Sequence, residues 1–389
     1  MVRPGGGLQI VYGLGGAQRL TVSNGQLVSN VAVLSGGELA VTSGGTAADT
    51  VIASGGSETI ALDGSDIGGT VEDGGTQIVL SGGAAIGTLV TDPGIQVVLA
   101  GGSAASATLS GGYQLDYGTA SNTTIADASV ELVFGAAAGA TVSSGGLQDL
   151  VAGAVTTGTT VSSGGFEFVY GTATSATLDS GAEQFIFSGG AVNGDIVLNG
   201  GVQYDLGRAS GTIVSTGGVE NVLSGGVATS STVEAGGNEI VYAGGDISGA
   251  TISGGEIDLQ SEATAGSSTI TFASGGGGGG GGILKIDGTG AFDFLVAGFG
   301  VPDEIDLSAV NFATATKSYS GNSSSGTLTV TDGVNSVSIL LLGNYSLASF
   351  NLGPEAGGGT GTIVTDPPTG VGAAISDLAP VGLTMPQHT

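Results

Sequence analysis

Residues 159–181 read Thr-Thr-Val-Ser-Ser-Gly-Gly-Phe-Glu-Phe-Val-Tyr-Gly-Thr-Ala-Thr-Ser-Ala-Thr-Leu-Asp-Ser-Gly and hold one complete copy of a repeated pattern. A Thr-aliphatic pair precedes Ser-Ser and Gly164-Gly165, and a Glu, an apolar run and a small-residue turn follow. The pattern then begins again at Thr177-Leu178. About fourteen copies, spaced 17 to 19 residues apart, lie between residues 6 and 255.

The short period of the repeat indicates one turn of a β-solenoid. Repeats built from helix pairs need about 33 residues or more. Each copy is rich in β-branched residues between Gly and small-residue turns, and this predicts two short strands in each unit. A unit of this size buries its apolar side only by stacking on its neighbours. The fold class is therefore all-β, with a solenoid of about fourteen turns.

Gln or Glu recurs three residues after the start of most units, and this column has two interpretations. It could form an inward ladder of hydrogen-bonded side chains, or it could line an outward binding face. Burying a charge is costly, so the Glu members favour outward exposure. The column comprises Gln77, Gln96, Gln114, Glu131, Gln148, Glu167, Gln203, Glu220 and Glu239, with Gln9, Glu38, Glu58 and Gln184 in further copies.

Three other columns complete the pattern. An apolar column three residues further on predicts the core, with Tyr170 as its member in the quoted copy. A Thr followed by an aliphatic residue marks an outer position, as at Thr160, and its register is less certain than that of the Gln/Glu column. Small inward residues are expected at a corner, namely Ala85, Ala104, Ala120, Val155, Ala173, Val192, Ala209, Ala228 and Ile247.

Composition restricts the classes of partner and site. The chain has 389 residues, 80 of them Gly, and a formal net charge of −28, which disfavours nucleic acid and anionic membranes as partners. It has no Cys, which excludes disulfides, thiolate metal sites and Cys nucleophiles. No apolar run reaches the roughly 18 residues expected of a membrane-spanning helix.

The pattern changes near residue 275, where eight consecutive Gly begin. We expect a solenoid over 1–260, a Gly-rich joint over 261–282, a C-terminal β cap associated with secretion over 283–366, and a disordered tail over 367–389. Asp332-Gly333 is predicted to be the turn of a hairpin within the cap. The repeat begins almost at Met1 with no capping unit, and this predicts either a truncated chain or end-to-end association of copies through the bare strand edge.

The copy over residues 217–234 reads Gly-Gly-x-Glu-x-Val-x-x-Gly-Gly-x-Ala-x-x-x-Thr-Val-Glu. It resembles the strand-loop-strand repeats of AIDA-type autotransporter passengers over roughly residues 6–260. The resemblance implies a right-handed β-helix, secreted or on the bacterial surface, that acts in adhesion, self-association and biofilm formation. It also implies sugar on Ser or Thr of some repeats, and candidates are Ser143, Ser144, Ser162 and Ser163.

The segment 292–308, which reads Phe-Asp-Phe-Leu-Val-Ala-Gly-Phe-Gly-Val-Pro-Asp-Glu-Ile-Asp-Leu-Ser, resembles the closing part of type I secreted, RTX-like proteins. That resemblance implies an uncleaved C-terminal export signal. The calcium-binding nonapeptide of such proteins, Gly-Gly-x-Gly-x-Asp, does not occur, so Asp303, Glu304 and Asp306 are only weak calcium candidates, and no other cofactor is predicted.

Catalysis is not predicted. His388 is the only His and lies in the tail, which disfavours a Ser-His-Asp site. Asp116 and Asp205 share a column about five turns apart, and Asp149 is one place off that column and should point to the opposite face. A solvent-exposed position at a corner is expected for these three acids, and a carboxylate-dependent carbohydrate-active β-helix enzyme is the third-ranked alternative.

The sequence thus predicts a secreted or surface-displayed bacterial adhesin or structural β-helix that acts through repeated polar faces, where many weak contacts sum by avidity. Its expected partners are cell-surface glycans or proteins, or other copies of itself. The main alternative is a passive stalk or export scaffold for another, enzymatic domain.

Overall fold

The computed structural model describes residues 9–12, 18–273 and 281–366 and shows a three-sided parallel β-solenoid of about fifteen turns. Each turn up to the strand Asp246–Ser248 contributes one strand to each of three sheets, and the described residues of the later turns contribute strands to two of them. In the copy at residue 159 these strands are Thr160–Val161, Phe166–Val169 and Thr172–Thr174. The prediction of two strands in each unit is wrong, because the third strand consists of small residues that read as a turn in the sequence.

The three sheets are named here after their commonest side chains. The ladder sheet contains the parallel strands Gln18–Val22, Gly37–Val41, Ser57–Ile60, Thr76–Val79, Ile95–Val98, Tyr113–Asp116, Val130–Val133, Leu147–Leu150, Phe166–Val169, Glu183–Ile186, Val202–Asp205, Val219–Val222, Asn238–Val241, Glu256–Leu259, Ile283–Ile286 and Glu304–Leu307, and the antiparallel strands Asn351–Pro354 and Thr362–Thr365. The alanine sheet contains Leu27–Ser29, Thr46–Ala48, Ser65–Ile67, Ala84–Ile86, Ser103–Ala105, Thr119–Ser121, Ala136–Ala138, Val155–Thr157, Thr172–Thr174, Ala191–Asn193, Arg208–Ser210, Val227–Thr229 and Asp246–Ser248. The threonine sheet contains Gln9–Val11, Val31–Val33, Val51–Ile52, Thr70–Val71, Leu89–Thr91, Thr108–Ser110, Thr124–Ala126, Thr141–Val142, Thr160–Val161, Thr177–Leu178, Ile196–Val197, Ile213–Val214, Thr232–Glu234, Thr251–Ser253, Thr269–Phe272, Gly290–Ala297 and Ser336–Leu342, with the antiparallel strands Ser325–Thr331 and Thr316–Gly321.

Side chains alternate between the interior and the outside along each strand, and this alternation sets the core. The buried apolar column of the ladder sheet contains Val79, Val98, Val133, Leu150, Val169, Ile186, Val222 and Val241. The predicted core column lies one residue later and is wrong, since Tyr170 is 40% exposed whereas Val169 is 0% exposed. The strand ends at Val169, so the following side chain points outward as the chain turns.

The predicted small corner residues are buried in the alanine sheet, with one exception. Val155 is 46% exposed, and Thr156 takes the inward position of that turn. Small side chains fit there because the three sheets converge on a narrow interior.

The Gly-Gly pairs form the corner before the ladder sheet, and glycine is required at the two positions for different reasons. Gly164 has a φ of +74°, a conformation that costs little only without a Cβ. A Cβ on Gly165 would lie 2.6 Å from the carbonyl oxygen of Val142 on the turn below. The second Gly therefore allows the backbones of neighbouring turns to stack closely.

Parallel stacking continues beyond residue 260 through Ile283–Ile286 and Glu304–Leu307. The predicted hairpin is confirmed, because Ser325–Thr331 pairs antiparallel with Ser336–Leu342 and the Asp332 carboxylate accepts hydrogen bonds from the backbone of Val334 and Asn335. The 3₁₀ helices are Phe312–Thr314, Leu347–Ser349 and Ala356–Gly358.

Most of the eight-Gly run and the whole tail, 367–389, lie outside the described residues. Across the part of the chain that the structure describes, no helix has the length and apolar character needed to cross a bilayer.

Candidate functional site

The Gln/Glu column lies inside the solenoid and pairs in register from turn to turn. We call it the interior ladder, and every member is 0% exposed. The expected outward exposure of its Glu residues is wrong. The ladder contains Glu58, Gln77, Gln96, Gln114, Glu131, Gln148, Glu167, Gln184, Gln203, Glu220 and Glu239.

Two residues assigned to the ladder from the sequence are not in it. Glu38 points outward and pairs with Arg19 at 3.5 Å, because Leu39 occupies the inward position beside Glu58. Gln9 lies in the threonine sheet opposite Val31. Both misassignments fall in the irregular first copies, where the spacing of the repeat is loosest.

Amide donors allow the interior ladder to accommodate its acids. Gln77 Nε2 donates to Glu58 Oε2 at 2.8 Å and to Asp66 Oδ2 at 2.9 Å. Gln184 Nε2 donates in the same way to Glu167 Oε2 at 2.7 Å and to Asp195 Oδ2 at 2.9 Å. Buried polar groups are stable only when they find such partners.

Inward hydroxyl groups reach the interior ladder from the opposite corner. Thr159 Oγ1 donates to Gln148 Oε1 at 2.9 Å, and Ser231 Oγ donates to Glu239 Oε2 at 2.7 Å. The predicted outer Thr column is therefore split. Thr50, Thr88 and Thr212 are buried, whereas Thr108 and Thr124 face outward.

The solvent-exposed position expected for Asp116 and Asp205 is wrong, because both are 0% exposed. Asp116 lies beside Glu131 and Asp205 beside Glu220, so each forms a pair of interior carboxyl groups. Burial in this way excludes contact with a substrate in the observed fold. Asp149 faces the other side of the strand as predicted, between Leu132 and Phe168 on the outer surface.

Burial raises the pKa of every carboxyl group in the interior ladder, because removal from water disfavours the charged form. The pKa of Glu167 and of Glu239 rises to about 7. The pKa of Glu220 rises well above its usual value, with the charges of Glu239 and Asp205 adding to the effect of burial.

The outer face of the ladder sheet is an apolar surface whose side chains are mostly half-buried, with a few exposed. It consists of the outward side chains of the nine strands from Thr76–Val79 to Val219–Val222, together with the residue after each strand. Thr76, Asp149, Glu183 and Asn221 are its polar members, and all others are apolar or aromatic. Its aromatic members are Tyr113, Tyr117, Phe134, Phe166, Phe168, Tyr170, Phe185, Phe187 and Tyr204.

Aromatic rings on this outer face stack along the solenoid axis. The ring centroids of Tyr170 and Phe187 are 4.4 Å apart with an interplanar angle of 5°, and those of Tyr117 and Phe134 are 4.2 Å apart. In each of these pairs one flat face of each ring packs against the other ring. Their edges remain available to a partner, whereas a flat-lying sugar ring would need a free face.

A shallow depression of about 310 Å³ lies at the edge of the outer face, beside the corner that precedes the ladder strands. It is lined by Ala128, Ser129, Val130, Gly145, Leu147, Phe166 and Phe168. The face therefore offers both a concave feature and projecting side chains such as Tyr113, which is 44% exposed.

The four candidate sugar acceptors lie at the corner between the threonine and ladder sheets. Ser144 and Ser163 are exposed, and Ser143 and Ser162 are half-buried. The hydroxyl group of Ser162 donates to Asp179 Oδ2 at 3.2 Å.

The calcium candidates have structural partners. The carboxylate of Asp303 accepts hydrogen bonds from the backbone of Gly282 and Gly300, while Asp306 is buried on the next strand of the ladder sheet. Within residues 9–12, 18–273 and 281–366, no group of three or more His, Cys, Asp or Glu side chains is placed to hold a metal ion. Calcium binding at Asp303, Glu304 and Asp306 stays a prediction.

Comparison with solved structures gives a relative that shows the family. No family model and no curated protein matches the chain. The crystal structure of a TibC-catalysed, hyper-glycosylated TibA fragment is 32% identical to it, with a TM-score of 0.58. The match covers 72% of this chain and 95% of the TibA fragment. The Dettilon tailspike protein matches at 14% identity and a TM-score of 0.20, which supports no conclusion.

TibA is an AIDA-type autotransporter adhesin, and the matching fragment belongs to its passenger. The identity and coverage show that this chain belongs to the family of AIDA-type autotransporter adhesin passengers.

Proposed function

We propose that the protein is a secreted or cell-surface adhesin that acts without catalysis and associates side by side with further copies of itself. The outer face of the ladder sheet carries this proposal. The interior ladder, which was expected to be a repeated binding face, is enclosed and cannot contact a partner.

The size of the outer face suits a protein interface. Nine strands spaced about 4.8 Å apart and five residues of about 3.3 Å each give a face of about 700 Å². Apolar patches on monomeric proteins rarely exceed a few hundred Å². Standard interfaces bury about 800 Å² on each partner.

A second copy of the chain fits this face better than a glycan does. The paired rings present their edges, which suits packing between side chains. Two chains that each carry a net charge of −28 repel each other least where their contacting surfaces hold few charges. Asp149 and Glu183 are the only acids on the outer face.

The variant Phe168→Lys tests this function, with Thr174→Lys as the matched control on the outside of the alanine sheet. We expect concentration-dependent association of the unmodified protein in sedimentation velocity. Phe168→Lys should weaken it at least about tenfold and Thr174→Lys should not, because each good interface anchor contributes about 2 kcal/mol or more. A protein that stays monomeric at all concentrations, or equal weakening by both variants, would contradict the proposal.

Sugar on the exposed corner hydroxyl groups is a second part of the proposed function. It is supported by the hyper-glycosylation of the TibA fragment and by the exposed positions of Ser144 and Ser163. Co-expression with TibC should add mass that Ser144→Ala and Ser163→Ala reduce. The buried Ser129 serves as control, and unchanged intact mass in the unmodified protein would contradict this part. The RTX-like export signal stays a proposal, tested by secretion of chains shortened at the C-terminus.

A further inference from the structure

We propose that the solenoid holds its interior carboxyl groups as neutral acids, and that these bound protons form a lock that loosens as the pH rises. This goes beyond the proposed adhesive function. The groups concerned, which we call the acid spine, are Glu58, Asp66, Asp116, Glu131, Glu167, Asp195, Asp205, Glu220 and Glu239.

The first argument is the lack of cations at the acid spine. Among the described residues, the salt bridges of basic side chains join Arg19 to Glu38 and Lys285 to Asp258 and Asp287. None of these pairs involves the acid spine, whose members are all 0% exposed. Burying an ionised carboxylate without a counter-charge costs so much that the group takes up a proton instead.

The second argument is hydrogen-bond accounting. A carboxylate only accepts hydrogen bonds, whereas a carboxylic acid also donates one. One oxygen of each of seven buried carboxyl groups has no partner in the structure: Glu58 Oε1, Asp116 Oδ2, Glu131 Oε1, Glu167 Oε1, Asp205 Oδ2, Glu220 Oε2 and Glu239 Oε1. The amide oxygens of Gln96, Gln114, Gln184 and Gln203 also have no partner. Protonation turns an unpartnered carboxyl oxygen into a donor, and Gln114, Gln184 and Gln203 each lie in register with a Glu that can supply one.

The third argument is that acids face one another. Asp116 faces Glu131, and Glu58 faces Asp66. Two carboxyl groups that share a site cannot both ionise cheaply, so one keeps its proton.

The remaining groups around the acid spine are uncharged. Gln77, Gln148, Gln184 and Gln203 face the acids from the ladder sheet. Hydroxyl groups face them from the opposite corner, which precedes the strands of the threonine sheet, namely Thr50, Thr123, Thr159, Thr212 and Ser231. Asp205 faces Glu220 and also raises the pKa of Glu239. No charge of opposite sign among these neighbours favours ionisation.

The direction of the pH effect follows from the raised pKa values. Burial raises the pKa of Asp66 to about 6 and that of Glu167, Asp205 and Glu239 to about 7, while the unfolded chain titrates at ordinary values. At pH values between the ordinary pKa values and the raised ones, the folded state therefore binds more protons than the unfolded state. The stabilisation is complete below about pH 4 and is lost as the pH rises through about 6 to 7 and above. Ordinary acid denaturation runs in the opposite direction.

The test compares the full chain with Glu131→Gln/Glu220→Gln, and with Glu183→Gln as a control on the outer face. Gln already occupies six positions of the interior ladder, so the double variant preserves its shape. We expect the Tm of the unmodified chain to fall by at least about 10 °C from pH 5 to pH 9, followed by circular dichroism. The Tm of the double variant should fall clearly less over this pH range, and the Tm of the control should fall as much as that of the unmodified chain.

Infrared spectroscopy gives a second readout that does not depend on unfolding. The carbonyl band of protonated carboxyl groups should persist in the folded chain at pH 6 and decrease in the double variant. A Tm that is constant or rises from pH 5 to pH 9, or the absence of the protonated band at pH 6, would overturn the proposal.

Discussion

The side-chain amide of Gln148 donates a hydrogen bond to the carboxyl group of Glu131 on the neighbouring turn, with 2.6 Å between Nε2 and Oε2. The same pair recurs two turns further on, where Gln184 donates to Glu167. Each amide thus gives a buried acid one donor that the solvent cannot supply. The order of Gln and Glu along the interior ladder therefore sets how many acids the core can hold.

Replacing the amide donor of Gln148 should lower the stability of the solenoid. Gln148→Glu removes the donor to Glu131 and places three acids in succession up to Glu167. We expect a loss of about 3–5 kcal/mol in the free energy of unfolding at pH 8. The loss should be smaller at pH 5, where the acids take up protons. Denaturant titration at both pH values measures this. Gln260→Glu is the control, because it makes the same change at a side chain outside the solenoid interior. An equal loss of stability in this control would refute the role of the buried amide donor.

Two adjacent residues distinguish the core from the outer face. Ile186 is fully buried, whereas Phe187 is half-buried and packs outside on Tyr170. Ile186→Ala should cost about 2–5 kcal/mol of stability, as expected for a large buried aliphatic side chain. Phe187→Ala should cost less despite removing more atoms. Thermal unfolding of the two variants gives the order, and the reverse order would mean that the core column is wrongly placed.

The Gly-Gly corner should tolerate change at only one of its two positions. Gly165→Ala forces a Cβ against the backbone of Val142, and overpacking of this kind costs about 1–3 kcal/mol. Gly164→Asn should cost less, because Asn adopts positive φ more readily than most residues and Ala128 already has a φ of +62° at the equivalent corner position two turns below. Calorimetry of both variants tests the difference. Equal Tm values would show that close stacking does not limit this corner.

Asp149 lies in the middle of the apolar outer face, where burial raises its pKa. Its charge should therefore oppose contact between two copies at neutral pH. Asp149→Leu should tighten association about tenfold or more in sedimentation equilibrium, and Asp149→Asn should tighten it less. Asp246→Leu, on the alanine sheet, should have no effect. Weaker association of Asp149→Leu would mean that the carboxylate itself contacts the partner.

Asp303 should stabilise its loop with or without calcium, because its two carboxylate oxygens already accept backbone N–H groups from Gly282 and Gly300. Asp303→Ala should lower the Tm by the same amount in calcium and in a chelator. Glu304→Ala is the control, since its side chain lacks these backbone partners. A Tm that rises with calcium only in the unmodified protein would instead support calcium binding at Asp303, Glu304 and Asp306.

The repeat period was enough to predict stacked turns, since a unit of 17 to 19 residues is too short for a pair of helices and buries its apolar side only against its neighbours. The inward or outward direction of each column could not be read with the same certainty. Val169 and Tyr170 are adjacent and both largely apolar, so the sequence does not show which of them is buried. The strand ends at Val169, and this places Val169 inside and Tyr170 outside. The prediction for Glu167 was wrong for another reason. A charged side chain is expected to face solvent, and the sequence shows neither its bound proton nor its amide partner.

The third strand of each turn was missed because Thr172, Ala173 and Thr174 have little apolar surface and resemble a turn. The outer face was missed because its residues are separated by about 17 to 19 positions in the sequence and become neighbours only through stacking.

The sequence by itself determined the solenoid, its period, the Gly-Gly corners and the existence of a Gln/Glu column, because these depend on local spacing and on residue type. The tertiary structure decided that this column is enclosed, that Asp116 meets Glu131, and that aromatic side chains form one continuous outer face. Enclosure and proximity arise when three sheets close around a common interior. They therefore depend on distances across the solenoid, and a linear pattern does not contain those distances.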